Sequence, residues 1–268
     1  MSETIRILVA DPVLTSNEQT ANQFDGRPGV EVVRAPDAAK AVATLRDQII
    51  DIALIDQRLP GLDGKAIQAW AEAEPGRLLL ITTDRLASAW PAISKQVRAY
   101  DTLLKPVRRP RADTVMAAYQ RLRQPTRALL VDSLVANLHA VARLLRDSRF
   151  GVAVEGIDNG LHAVRIAQLD RFDVVLTSLQ LEDMPGMEVT ARIAAIPNPP
   201  PIILMGGPGD RPKMNEATLE AVGAKAYLRK PFTAAALDGV LHDVFGLWRP
   251  YLTKALDVTP SQAESRVA

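Results

Sequence analysis

Short apolar runs rich in β-branched residues alternate with segments of helical period along the whole chain. In the first half the runs are Ile5–Ala10, Val30–Arg34, Asp51–Ile55, Leu78–Thr82 and Thr102–Leu104. Between them the period lengthens to that of helices near Thr15–Asp25, Asp37–Arg46, Gly64–Ala73, Leu86–Arg98 and Ala112–Arg123. This alternation predicts βαβ units and a parallel sheet. The runs are apolar at nearly every position, which predicts helices covering both sheet faces. Asp37 and Ser133 stand where a helix N-cap is useful.

The second half repeats the order. Ala128–Val131 answers to Leu8–Ala10, Gly151–Glu155 to Gly29–Val33, and Phe172–Thr177 to Asp51–Ile55. Ile202–Met205 answers to Leu78–Ile81, and Ala226–Leu228 precedes Lys230-Pro231 as Thr102–Leu104 precedes Lys105-Pro106. Asp11 and Asp132 lie 121 residues apart, Gly64 and Gly186 122, Lys105 and Lys230 125. So slow a drift marks a duplicated domain, not a short solenoid repeat. Gln124-Pro125-Thr126 is the expected junction, because proline ends the preceding helix and no long linker follows. The expected division is 1–123, 124–248 and a C-terminal tail, 249–268, too short for an effector domain.

Composition narrows the classes. A length of 268 residues suits two ordinary domains, and 47% apolar with 24% charged residues suits packed cores. Lys plus Arg number 32 against 31 for Asp plus Glu, so charge gives no argument for nucleic acid. The best basic cluster, Arg108-Arg109-Pro110-Arg111, reads as a solvated face, and a nucleic-acid partner is not expected. The absence of cysteine excludes disulfides, thiolate metal sites and cysteine nucleophiles. No apolar run approaches a bilayer span and the N-terminus lacks a signal-peptide pattern, so the expected location is cytoplasmic, with no membrane partner. No glycine-rich phosphate loop follows the first strand, which argues against a nucleotide-dependent enzyme. His139, His162 and His242 read as ordinary helix positions, and Trp70, Trp90 and Trp248 as covers for core edges.

Open parallel sheets bind ligands at the C-terminal ends of their strands. There the first half carries Asp11, Asp56 and Thr82, joined by Lys105. The segment from Asp56 to Gly64 reads Asp-x-x-Leu-Pro-x-x-Asp-Gly. Each residue alone is ordinary: a strand-end aspartate usually serves a turn or cap, and a lone lysine is a solvated charge. The ordered set resembles the response regulator receiver family of two-component signalling, over about residues 5–123 and again 127–246.

That resemblance implies two tandem flavodoxin-like (βα)5 receiver domains with five-stranded parallel sheets. It implies Asp56 as phosphoacceptor, taking a phosphoryl group from a histidine kinase or phosphotransfer protein. Lys105 and Thr82 would bind phosphoryl oxygens. Mg²⁺ would be held by Asp11, Asp56 and the backbone carbonyl of Arg58, and the bond before Pro106 would be cis. Output would be a contact with a downstream protein, with no DNA-binding domain and no enzymatic turnover; a homodimer is compatible with this picture.

Departures from the family pattern set further expectations. Pro12 stands where receivers usually have a second acid, which predicts weak Mg²⁺ binding. Thr102 stands where many carry an aromatic switch residue. In the second half Ser178 occupies the acceptor position, Ser133 replaces the second acid and Gly206 the threonine, while Asp132, Tyr227 and Lys230-Pro231-Phe232 remain. A serine hydroxyl is uncharged, and no neighbouring base is evident to activate it. Asp173 and Asp183 are expected to point away. The second half therefore reads as a pseudoreceiver retained for its surfaces, in which Ser178→Asp alone does not restore phosphorylation. The alternative is a phosphorylation-independent binding scaffold built from two receiver-like domains.

Overall fold

The computed structural model describes residues 4–59, 64–74, 76–85, 97, 99–207, 209 and 215–250. The helix expected near Leu86–Arg98, with Trp90, lies outside these residues apart from Val97, as do Asp63 of the acceptor loop and the tail beyond residue 250. The chain separates into two compact units. One runs to Arg123 and also takes in Trp248; the other is Gln124–Leu247.

The first unit contains β1 (Ile5–Ala10), α1 (Leu14–Ala21), β2 (Val30–Ala35), α2 (Ala38–Asp47) and β3 (Ile52–Asp56). It continues with α3 (Gly64–Ala73), β4 (Leu78–Thr83), β5 (Asp101–Leu104) and α4 (Arg109–Arg123). All its strands are parallel in the order β2-β1-β3-β4-β5, the flavodoxin-like doubly wound arrangement. β3 and β4 are buried at every position, which is why their sequences carry no polar alternation. Ile7, Val9, Leu54 and Leu80 pack one face with Phe24, Val115 and Tyr119, while Leu8, Ala53, Ile55 and Leu79 pack the other with Ala41, Ile67 and Trp70.

Local chemistry sets the helix ends. Asp37 caps α2, its carboxylate accepting from the Lys40 amide at 2.8 Å, a contact worth about 1 kcal/mol. α4 begins at Arg109 rather than Ala112, because Pro110 falls in the first turn, where its missing N–H would have no intrahelical acceptor. At the opposite end of that helix, Asp51 accepts from the Arg6 amide at 2.8 Å and from Arg123 at 3.1 Å, and also from the Tyr119 hydroxyl. Trp248 rejoins this unit beside β5. Its ring meets Tyr100 edge-on at 5.2 Å and its indole N–H donates to Asp101 at 2.9 Å.

The second unit repeats the plan: β6 (Arg127–Val131), α5 (Val135–Arg146), β7 (Ala153–Ile157), α6 (Gly160–Leu169), β8 (Val174–Ser178) and α7 (Gly186–Ala194). Then follow β9 (Ile202–Gly206), α8 (Glu216–Val222), β10 (Ala226–Arg229) and α9 (Ala234–Val244). Its parallel order, β7-β6-β8-β9-β10, is that of the first sheet. Ser133 is not a helix cap. Leu134 occupies the N-cap of α5, and the Ser133 hydroxyl instead accepts from the Glu182 amide at 2.9 Å, tying down the loop after β8. Gly186 lies so close beneath that loop that a Cβ there would come within 1.8 Å of the Ser178 carbonyl oxygen. Only glycine permits this approach.

Candidate functional site

In the first unit the C-terminal ends of β1, β3 and β5 deliver Asp11, Asp56 and Lys105 to one buried pocket. Lys105 Nζ reaches Asp11 Oδ2 at 2.5 Å and also pairs with Asp56 Oδ2. Its peptide bond to Pro106 is cis. The Asp11 carboxylate is fixed by two further donors, the Val13 amide on Oδ1 at 2.9 Å and the Ser16 hydroxyl on Oδ2 at 2.6 Å. Beneath it the buried Asn17 amide donates to the carbonyls of Val9, Asp11 and Ala35 at 3.0–3.3 Å, joining the ends of β1 and β2.

Asp56 Oδ1 accepts from the Arg58 amide at 2.7 Å and from Arg58 Nε at 3.2 Å. The same guanidinium reaches Asp84 Oδ2 at 2.6 Å. Burial works to raise the Asp56 carboxyl, but donation from Lys105 and Arg58 overcomes it and holds the group below its ordinary value. Asp56 is thus an anion at neutral pH. Thr82 is the cross-strand partner of Asp56, and neighbours in a parallel ladder share a face. Thr83 faces the other way, its hydroxyl accepting from Gln57 Nε2 at 2.5 Å and donating to the Arg85 carbonyl at 2.8 Å. Thr102, three residues before Lys105, is buried in β5 opposite Ile81.

A divalent cation finds a thin donor set here. Pro12 supplies no side-chain oxygen, and all four carboxylate oxygens of Asp11 and Asp56 already face protein donors. Among the described residues no group of three or more acids or histidines is disposed to hold a metal. The residues present fit Mg²⁺ poorly.

The second unit gathers the matching set, Asp132, Ser178 and Lys230. Ser178 Oγ donates to Asp132 Oδ2 at 2.7 Å, Lys230 Nζ reaches the same oxygen at 2.5 Å, and Lys230 also donates to Ser178. Asn137 donates to both oxygens of Asp132 at 3.1 Å, whereas Ser16 donates to Oδ2 of Asp11 alone. A carboxylate and a lysine thus both touch Ser178. Lys230 acts as a donor toward the hydroxyl, and the carboxylate that accepts from it is a weak base. Burial opposes the charge on Asp132, yet Lys230, Ser178, Leu134 and Asn137 hold its carboxyl below the ordinary value.

A correction concerns the lost threonine. Ser178 pairs across the ladder with Met205, as Asp56 pairs with Thr82. The Leu179 amide donates to the Met205 carbonyl as the Gln57 amide does to that of Thr82. Met205, not Gly206, therefore replaces Thr82, and Gly206 answers to Thr83. Asp183 turns outward onto α6, accepting from the Gly160 and Leu161 amides at 2.9 Å, and Asp173 accepts from the Arg127 amide at 2.7 Å. His242 is a buried helix residue edge-on to Phe150 at 5.0 Å.

The family model for the response regulator receiver domain matches residues 128–242. The chemotaxis protein CheY-3 of Vibrio cholerae is 30% identical over 126 residues, 46% of this chain and 95% of that protein. The transcriptional regulatory protein GlrR of Escherichia coli is 28% identical over 120 residues, 45% of this chain and 26% of that protein. Among solved structures, a putative two-component system response regulator/GGDEF domain protein superposes with a TM-score of 0.62 at 19% identity. The match covers 91% of this chain and 99% of that one, a likeness of fold.

Proposed function

This chain belongs to the response regulator receiver family of two-component systems, and on that premise we propose that its first unit accepts a phosphoryl group on Asp56 while its second unit does not. The observation that carries the reading is the buried Lys105 bridge between Asp11 and Asp56, for which a fold alone has no need. Asp56 is ionised, so it attacks phosphorus without a general base. Its oxygen bonds to phosphorus as the phosphorus–nitrogen bond of a donor phosphohistidine breaks. Lys105 then re-pairs with a phosphoryl oxygen, and the Thr82 hydroxyl donates to another.

Receiver domains in general bind Mg²⁺ at this acidic pocket, where the ion neutralises phosphoryl charge. Here Asp11, Asp56 and the Arg58 carbonyl are the groups left to hold it, and they make a weak site. The phosphodonor is a histidine kinase or phosphotransfer protein, and the response is a contact with a downstream protein. We place the protein in the cytoplasm. Pro12 favours one other reading, a scaffold that binds without phosphorylation. Acetyl phosphate separates the two: one added phosphate mass, absent from Asp56→Asn, supports the acceptor, and none with any donor supports the scaffold.

A further inference from the structure

We propose that the Arg58 guanidinium is a phosphoryl-binding group of the first unit, supplying at Asp56 positive charge that a divalent cation would otherwise have to provide. The inference rests on Asp56 being the phosphoacceptor. Arg58 Nε stands 3.2 Å from Asp56 Oδ1, and its terminal nitrogen reaches Asp84 Oδ2 at 2.6 Å. A guanidinium has five N–H donors in a rigid fork, and these two contacts use two of them. Asp84, one residue beyond β4, tethers the fork over the acceptor. The Arg58 side chain is 48% exposed against 7% for Lys105, so it lies at the mouth where a donor arrives.

Charge balance points the same way. Among the buried groups Asp11 and Asp56 carry two negative charges against the single charge of Lys105, a surplus that repels an anionic phosphoryl group; Asp84, 54% exposed at the rim, is screened by solvent and adds little to it. A second acid at position 12 would recruit a metal to correct it; Pro12 does not. The second unit has no such surplus, since Lys230 matches Asp132, and at the place of Arg58 its loop carries the neutral Gln180. The guanidinium occurs where two acids need it. During transfer the bond from Asp56 oxygen to phosphorus forms as the bond to the donor's nitrogen breaks, with the electron pair leaving on that imidazole. Charge spreads over the three equatorial oxygens, and a planar fork is suited to two of them.

The test measures phosphorylation of the full chain by acetyl phosphate, read by intact mass, in EDTA and in Mg²⁺. The wild type labels in EDTA. Arg58→Ala loses that EDTA-resistant labelling by about a hundredfold, the scale of removing one preorganised donor, and regains it with Mg²⁺. Arg58→Lys retains part of it. By calorimetry Mg²⁺ binds Arg58→Ala more tightly than wild type, because a competing cation has left Asp56. Labelling of Arg58→Ala in EDTA at the wild-type rate overturns the proposal, as does a wild type that labels only with Mg²⁺. Either result leaves the acceptor reading intact, whereas a chain that labels under no condition removes both.

Discussion

Ser178 donates its hydroxyl to the Asp132 carboxylate at 2.7 Å, in the place where the first unit opposes two carboxylates. With Lys230 on both, the second pocket is neutral and internally satisfied. It therefore keeps its shape without a metal or a phosphoryl group.

Ser178→Asp recreates only the acid pair and its lysine. Met205 still offers no hydroxyl, Ser133 no carboxylate and Gln180 no cation. The single variant is expected to gain no phosphate in the second unit. Adding Gln180→Arg and Met205→Thr is expected to bring labelling there, read by mass of peptides from residues 124–247. Labelling of Ser178→Asp alone would show that the two acids and lysine suffice.

Pro12→Asp should tighten Mg²⁺ binding by roughly tenfold or more, because ligand charge sets divalent-cation affinity. Calorimetric titration of the two proteins checks this. Equal affinities would mean that Asp11 already meets the ion directly.

Both pocket acids carry a pH dependence of known sign. The folded values of Asp56 and Asp132 are depressed, so each contributes stability above its unfolded value near 3.8 and loses it as pH falls through the folded one. Urea midpoints should carry the full, unchanging contribution of these groups between about pH 8 and 5, then fall below about pH 4. Asp132→Asn should flatten the acid limb of the second unit. An unchanged limb in that variant would contradict the assigned hydrogen bonds.

Asp238 behaves in the opposite sense. Burial raises its carboxyl, Arg149 at 4.0 Å offsets this only in part, and Oδ1 has no hydrogen-bond partner among the described residues. A raised folded value costs stability as pH climbs above the unfolded one. Asp238→Asn should therefore stabilise the second unit by about 1 kcal/mol at pH 7, with the gain vanishing near pH 4. Thermal melts at the two pH values decide it, and a loss at pH 7 would show that the Arg149 pairing outweighs burial.

The fold was legible because parallel strands covered on both faces write themselves as unbroken apolar runs, as in Leu78–Thr83 and Ile202–Gly206. The same uniformity hid the register: nothing in Ile202-Ile203-Leu204-Met205-Gly206 tells whether methionine or glycine faces the acceptor. Only the ladder does so. The pocket of the second unit was illegible for a different reason, since Asp132, Ser178 and Lys230 lie 46 and 52 residues apart and their hydrogen bonds exist only once three strands meet. Arg58 was read for its carbonyl alone. Its side chain gained meaning from Asp84, a partner that periodicity and spacing do not reveal.

The most direct measurement locates phosphate along the chain. After incubation with acetyl phosphate, borohydride reduction converts an aspartyl phosphate to homoserine, and peptide mass mapping finds the residue. The account predicts one phosphate per chain, conversion at Asp56 and none in residues 124–247. Phosphate mapped to the second unit, or labelling that persists in Asp56→Asn, would contradict it.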